Sequence, residues 1–293
     1  MSFTAGAKDK KGFFMEQTKK FHLNKQQVIV LIVIIALTIC AWIYTAVNAS
    51  SSGMDGMSMD MTGAVDPEMD AQMAERLAAA AYSPTMPPFS MFVPMWIVMC
   101  IGMMLPTAVP MIFAFDTISK RRRAQGFGNS PTYLFILGYV LLWALFGVVC
   151  WLVGEGIIAL IGGYFTSWTH TLIGVAVIFL IAGIYQLSPL KNACMRGCQH
   201  PLAFVLHNWK AGGSGALLMG MKHGMECIGC CWALMVVLFP LGMMNLFWMG
   251  LFTLIMFFEK NAKFGTLLSK IVGWLLIVAG AILCIMGIVL LAL

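Results

Sequence analysis

Ten consecutive residues, His223-Gly224-Met225-Glu226-Cys227-Ile228-Gly229-Cys230-Cys231-Trp232, place soft metal ligands inside an apolar segment of the chain. On a helix, His223 and Cys227 stand one turn apart, with Cys230 and Cys231 a further turn along the same side. An isolated thiolate in hydrocarbon is costly, so sulfur at this density calls for a metal or another cation beside it. The chemistry indicated is soft-metal handling, with Cu(I) the leading ion. Zn(II) also suits thiolates with one imidazole, and it is the methionines elsewhere that favour Cu(I).

Those methionines form two groups. Residues 48–90 open on Gly53-Met54-Asp55-Gly56-Met57-Ser58-Met59-Asp60-Met61 and continue through Met69, Met73 and Met86. Gly, Ser, Asp and Pro make this stretch poorly suited to building a core, so its methionines are not explained by packing. Thioethers are soft, neutral ligands that do not titrate, and they remain usable in an oxidising exterior that would compromise exposed thiols. Six acidic residues in the same stretch attract cations. The second group, Met91, Met95, Met99 and Met103 at i, i+4 spacing with Cys100, Met104 and Met111, makes a thioether stripe along one helix. Such a stripe is also ordinary core filling. Its depth argues for more, because Met99, Met103 and Met104 reach a level similar to Cys227–Cys231. Pro106 and Pro110 should loosen the helix just below and free backbone carbonyls.

The elements that position these residues follow from composition. Of 293 residues, 60% are hydrophobic and 10% charged, which describes an integral membrane protein. A span takes roughly 20 apolar residues. The chain reads as an all-α, polytopic transmembrane bundle of about seven spans, over 28–47, 91–115, 132–153, 169–189, 215–243, 246–258 and 267–292. Residues 154–166 read as a re-entrant or interfacial piece. Lys and Arg cluster in the N-terminal segment, at Lys120–Arg123, at Lys191–Lys222 and at Lys260–Lys270, all on one side of a seven-span chain. The N-terminus is therefore expected in the cytoplasm and the C-terminus outside. The organisation is a cytoplasmic segment (1–27), an anchor (28–47), an external Met-rich acidic loop (48–90) and a six-span membrane domain (91–293). An export signal is the alternative to the anchor, given Val47-Asn48-Ala49, but its apolar run is long for one. The net charge of +6 reports topology, and no nucleic-acid module is present. With nine Cys in apolar runs or on the cytoplasmic side, free thiols are the default.

Two further clusters lie on the cytoplasmic side. Cys194-Met195-Arg196-Gly197-Cys198-Gln199-His200, with His207 nearby, fits a metal exit or docking site if helical, or a plain reduced loop. Glu226 is an intramembrane carboxylate, functional by default unless Lys222 pairs with it, whereas Glu259 beside Lys260 reads as structural.

Residues 90–290 resemble a known family. Leu187-Ser188-Pro189-Leu190-Lys191, Cys194 to Cys198, Gly220 to Met235, Met243-Met244-Asn245-Leu246-Phe247-Trp248-Met249 and Glu259-Lys260 look like the DUF2182 family of predicted metal-binding integral membrane proteins. Trp96-Ile97-Val98-Met99 and Met103-Met104-Leu105-Pro106 also match. The resemblance implies a helical membrane fold and a copper-chaperone-like role, and does not extend to the Met-rich loop.

Copper handling is the expected function, with Cu(I) captured outside and held by His223, Cys227, Cys230, Cys231 and the Met stripe for delivery or transport. The alternative is a non-catalytic accessory subunit of a copper-dependent membrane enzyme of monooxygenase or oxidase type. Partners are the lipid bilayer and either such subunits or a copper chaperone, with no nucleic acid. An enzyme is not expected: there is no acid–base pair, no nucleophile with its base and no multi-His oxygen site. Without a P-loop, transport would be passive or ion-coupled. The expected location is the inner or plasma membrane of a prokaryote, with the Met-rich loop periplasmic.

Overall fold

The computed structural model describes residues 25–51, 86–126, 130–162, 168–243 and 245–292. Among them are ten helices and no strand: α1 (Lys25–Ser51), α2 (Phe89–Thr107), α3 (Val109–Ala124), α4 (Thr132–Ile161), α5 (Trp168–Leu187), α6 (Pro189–Gln199), α7 (Pro201–His207), α8 (Gly212–Leu241), α9 (Leu246–Asn261) and α10 (Gly265–Ala292). Six of these, α1, α2, α4, α5, α8 and α10, are long and apolar enough to cross a membrane. The sixth span read from sequence is α9, whose 16 residues cover about 24 Å, short of a full crossing. Residues 154–161 are not re-entrant; they continue α4, since no residue there breaks the helix. Met54, Met57, Met59 and Met61 lie outside the described residues.

Helix α8 is the centre of the bundle. Of its most apolar stretch 56% is buried, against 17% for α1 and α10, which show lipid most of their surface. Glycines set how closely α8 meets α4. A Cβ on Gly220 would collide with the Phe135 carbonyl, one on Gly138 with the Leu217 carbonyl, and one on Gly224 would press on Leu142. Taken over a longer stretch, Gly212 meets Ser130, Gly213 meets Leu134 and Gly224 meets Leu142, the same order along both chains, so α4 and α8 are parallel, and the small residues let their backbones approach as in other membrane helix pairs. Helices α5 and α10 pair in the opposite sense: Gly273 lies against Gln186 and Leu187, Gly280 against Leu180 and Ala176, and Gly287 against Ile173. A glycine every seventh residue keeps one face of α10 flat for α5.

Prolines shape α2. Pro106 has no N–H to give the carbonyl of Gly102, and the indole of Trp42 on α1 donates to that carbonyl at 3.3 Å instead. The Ala108 N–H bonds Leu105 at 3.1 Å, tightening the turn. The Met104 carbonyl therefore receives Thr107 Oγ1 at 2.8 Å and the Tyr139 hydroxyl at 3.3 Å. The single span read over 91–115 is thus two helices hinged at Ala108, and the hinge opens beside the sulfur-rich turn of α8.

The segment between α5 and α8 is helical. Ser188 caps α6, its Oγ accepting from the Lys191 N–H at 3.2 Å. Buried Lys191 donates to Glu259 Oε2 at 2.7 Å and also to Gln186, while Gln186 Nε2 donates to Glu259 Oε1 at 3.0 Å. This network ties α5, α6 and the end of α9 together, so Glu259 is a structural residue and a buried one.

Candidate metal centre

Cys227, Cys230 and Cys231 converge because α8 puts them on one face: their sulfur atoms all lie within 4.8 Å of one another and all three residues are buried. The Cys227 carbonyl receives the thiols of Cys230 at 3.0 Å and Cys231 at 2.8 Å. Across the interface, Met104 Sδ lies 3.8 Å from Cys231 Sγ. Met104 is held there by the hinge that its own carbonyl helps to organise. Met99 and Met103 on α2 are buried in the core, and among the described residues Met104 is the methionine that reaches the cysteines by a hydrogen bond.

The cation that the cluster calls for is present in the chain. Lys260, 5% exposed at the end of α9, donates to Cys227 Sγ at 3.1 Å, lies 3.6 Å from Met104 Sδ and donates to Thr107 Oγ1 at 3.2 Å. The Tyr139 hydroxyl stands 3.1 Å from Cys227 Sγ on the other side. Sequence reasoning assigned Lys260 to the basic flank of the bundle and missed Tyr139. The available signal was the adjacency of Glu259 and Lys260 on an apolar helix, where neighbours diverge by about 100° and must find different partners.

His223 lies one turn below Cys227, stacked on Tyr139 with ring centroids 5.3 Å apart, and is 3% exposed. Both its ring nitrogens are buried and bonded to nothing among the described residues. A buried imidazole normally has a partner for at least one nitrogen, so this ring is free to act as a ligand. His223, Cys227, Thr107 and Lys260 line one small cavity of about 10 Å³, about the room needed by a single water or ion. Thiols, a thioether and an unpaired imidazole around such a space fit a soft monovalent metal.

Cys198 lines the same cavity, and its thiol is near enough to Cys227 and Cys230 to interact with both. The stretch from Cys194 to Cys198 is therefore neither a free loop nor a separate site; α6 lays it against α8. Two glycines permit the approach: the Cys194 sulfur sits over Gly229, where a Cβ would come within 2.7 Å of it, and the Glu226 carboxylate occupies the space a Gly197 side chain would take. Glu226 feels the charge of Lys222, but Lys222 donates its hydrogen bond to Asn208 Oδ1 at 2.5 Å, and Glu226 Oε2 is buried without a hydrogen-bond partner among the described residues. His200 is exposed at the joint between α6 and α7, away from the cluster.

Residues 93–283 match the model of a family described as PpoB2, copper chaperone. No curated protein and no solved structure matches the chain.

Proposed function

The chain belongs to that copper chaperone family, and from this premise we propose that it takes Cu(I) at its Met-rich segment, holds it between α2 and α8, and releases it along the contact of α6 with α8. The observation that carries the reading is the convergence of Cys227, Cys230, Cys231 and Met104 around the Lys260 ammonium. Two thiolates, one Cu(I) and one ammonium sum to zero charge, which suits an ion held in a low-dielectric interior. Zn(II) would need three thiolates to reach the same neutrality. Cu(I) also accepts the two- or three-coordinate sets that thiolate, thioether and imidazole offer here.

Metals enter such a site by ligand exchange, without electron transfer. Met54, Met57, Met59 and Met61 serve as neutral capture ligands and Met104 as the last thioether before the thiols. His223 completes or relays the set. Cys198, on the wall of the same cavity as Cys227 and close to Cys230, is the next sulfur on the way out, and Cys194 with Glu226 the one after it. The basic end of the bundle faces the cytoplasm in this reading, so Cu(I) moves inward. In this reading the protein acts as a carrier of copper.

The test is metal analysis of the full-length protein purified gently from its native membrane and reloaded with Cu(I) under reducing conditions. Near-stoichiometric copper is expected. Cys227→Ser with Cys230→Ser should abolish high-affinity binding while leaving weaker binding by the Met-rich segment. Unchanged stoichiometry in that double variant would sink the site.

A further inference from the structure

A cavity that shares no residue with the sulfur cluster carries a chemistry of its own. It holds about 230 Å³ and lies between α7 and the first turns of α8, lined by His207, Asn208, Trp209, Lys210, Leu218 and Lys222, with no carboxylate in its wall. One water needs roughly 10–15 Å³, so a tetrahedral oxyanion has ample room. We propose that this cavity binds the phosphate of an anionic phospholipid headgroup.

Two lysines, Lys210 and Lys222, line it beside the His207 imidazole, and a third positive charge stands behind, since the Arg122 guanidinium lies 5.7 Å over the Trp209 ring. Of the acids nearby, Asp116 pairs with Lys120 at 2.7 Å, and Glu226, though within electrostatic reach of Lys222, directs its carboxylate toward Gly197 on α6 and does not line the cavity. Trp209 Nε1 is buried and donates to nothing among the described residues. Asn208 is fixed, its Oδ1 taken by Lys222 and its Nδ2 donating to the Phe204 carbonyl at 2.9 Å, so the floor is rigid.

What favours a lipid over a free anion is the apolar border. Leu218 lines the cavity and is 50% exposed, while Leu202 and Leu206, one turn apart on α7, are 56% and 57% exposed. The opposite face of α7 buries Phe204 and Val205. Helix α7 thus turns leucines outward beside a basic pocket, which is the arrangement an amphipathic headgroup and its acyl chain require.

The full-length protein in neutral detergent is titrated with short-chain phosphatidylglycerol, short-chain phosphatidylcholine and inorganic phosphate, and thermal unfolding is followed. Phosphatidylglycerol should raise the unfolding temperature saturably, and the other two should not. Lys210→Gln with Lys222→Gln should raise the half-saturating concentration about tenfold. Because Lys222 also holds Asn208, Lys210→Glu at an exposed position is the second variant, expected to weaken the response in the same direction. An equal response to inorganic phosphate would replace the lipid with a free oxyanion and overturn the proposal. So would a phosphatidylglycerol response that neither variant changes. Copper content plays no part in this readout, so the outcome is independent of the metal centre.

Discussion

Lys260 stands 3.1 Å from Cys227 Sγ, in the position from which its charge can balance a bis-thiolate metal complex. Replacing it should therefore act on the metal rather than only on the fold. Lys260→Met is expected to lower Cu(I) affinity about tenfold or more, because breaking a buried charge pair costs about 3–5 kcal/mol, while Lys260→Arg should retain most of it. Competition against a Cu(I) chelator reads the difference, and equal affinities in Lys260→Met and the wild type would remove the charge argument. On α6, burial, with smaller contributions from Cys230 and Glu226 beside it, holds the Cys194 thiol above its ordinary range. A raised value leaves less thiolate at neutral pH, so alkylation of Cys194 should be slow near pH 7 and accelerate as pH rises past the usual thiol range. Mass-spectrometric mapping of alkylation against pH measures this. A rate already at its plateau at pH 7 would contradict it.

At the scale of elements, Gly220 and Lys191 bear different kinds of load. Gly220 holds α8 against the Phe135 carbonyl, whereas a Cβ at Gly156 meets nothing within 4 Å. Gly220→Ala should lose about 1–3 kcal/mol through backbone displacement, and Gly156→Ala almost nothing, in unfolding by a denaturing detergent. Lys191→Met strands Glu259 and should cost about 3–5 kcal/mol, with Glu259→Gln added to it recovering much of the loss. The long spans were legible because twenty apolar residues have no other stable home. The ligand turn on α8 was legible because i, i+3 and i+4 positions share a face whatever surrounds the helix. The meeting of Met104 with that turn was suggested by depth alone, and it depends on a hinge whose angle no spacing rule supplies. The docking of α6 was hidden because it depends on two glycines, Gly197 and Gly229, that matter only once the helices are face to face. Lys260 was hidden for a similar reason: its charge fits the positive-inside pattern, while its side chain turns inward to sulfur.

For the molecule as a whole, α9 decides the parity of crossings. Its contacts with α2, from Trp42 between Gly102 and Gly250 down to Lys260 beside Thr107, run along much of its length and in the same order on both helices. A helix that follows a neighbouring span in this way is expected to act as a crossing, the bilayer thinning to meet the length that its 16 residues leave uncovered. The two termini should then lie on opposite sides of the membrane, with the N-terminus beside the basic ends. Impermeant labelling of single cysteines placed at each end tests this, and both ends on one side would make α9 a half-crossing. Trp42 has a further consequence, which concerns the order of assembly. The carbonyl that Pro106 leaves bare on one span is answered by a residue of a span synthesised before it. The first two spans can therefore close into a hairpin as soon as the second enters the bilayer, and the later helices gather on a surface that is already finished.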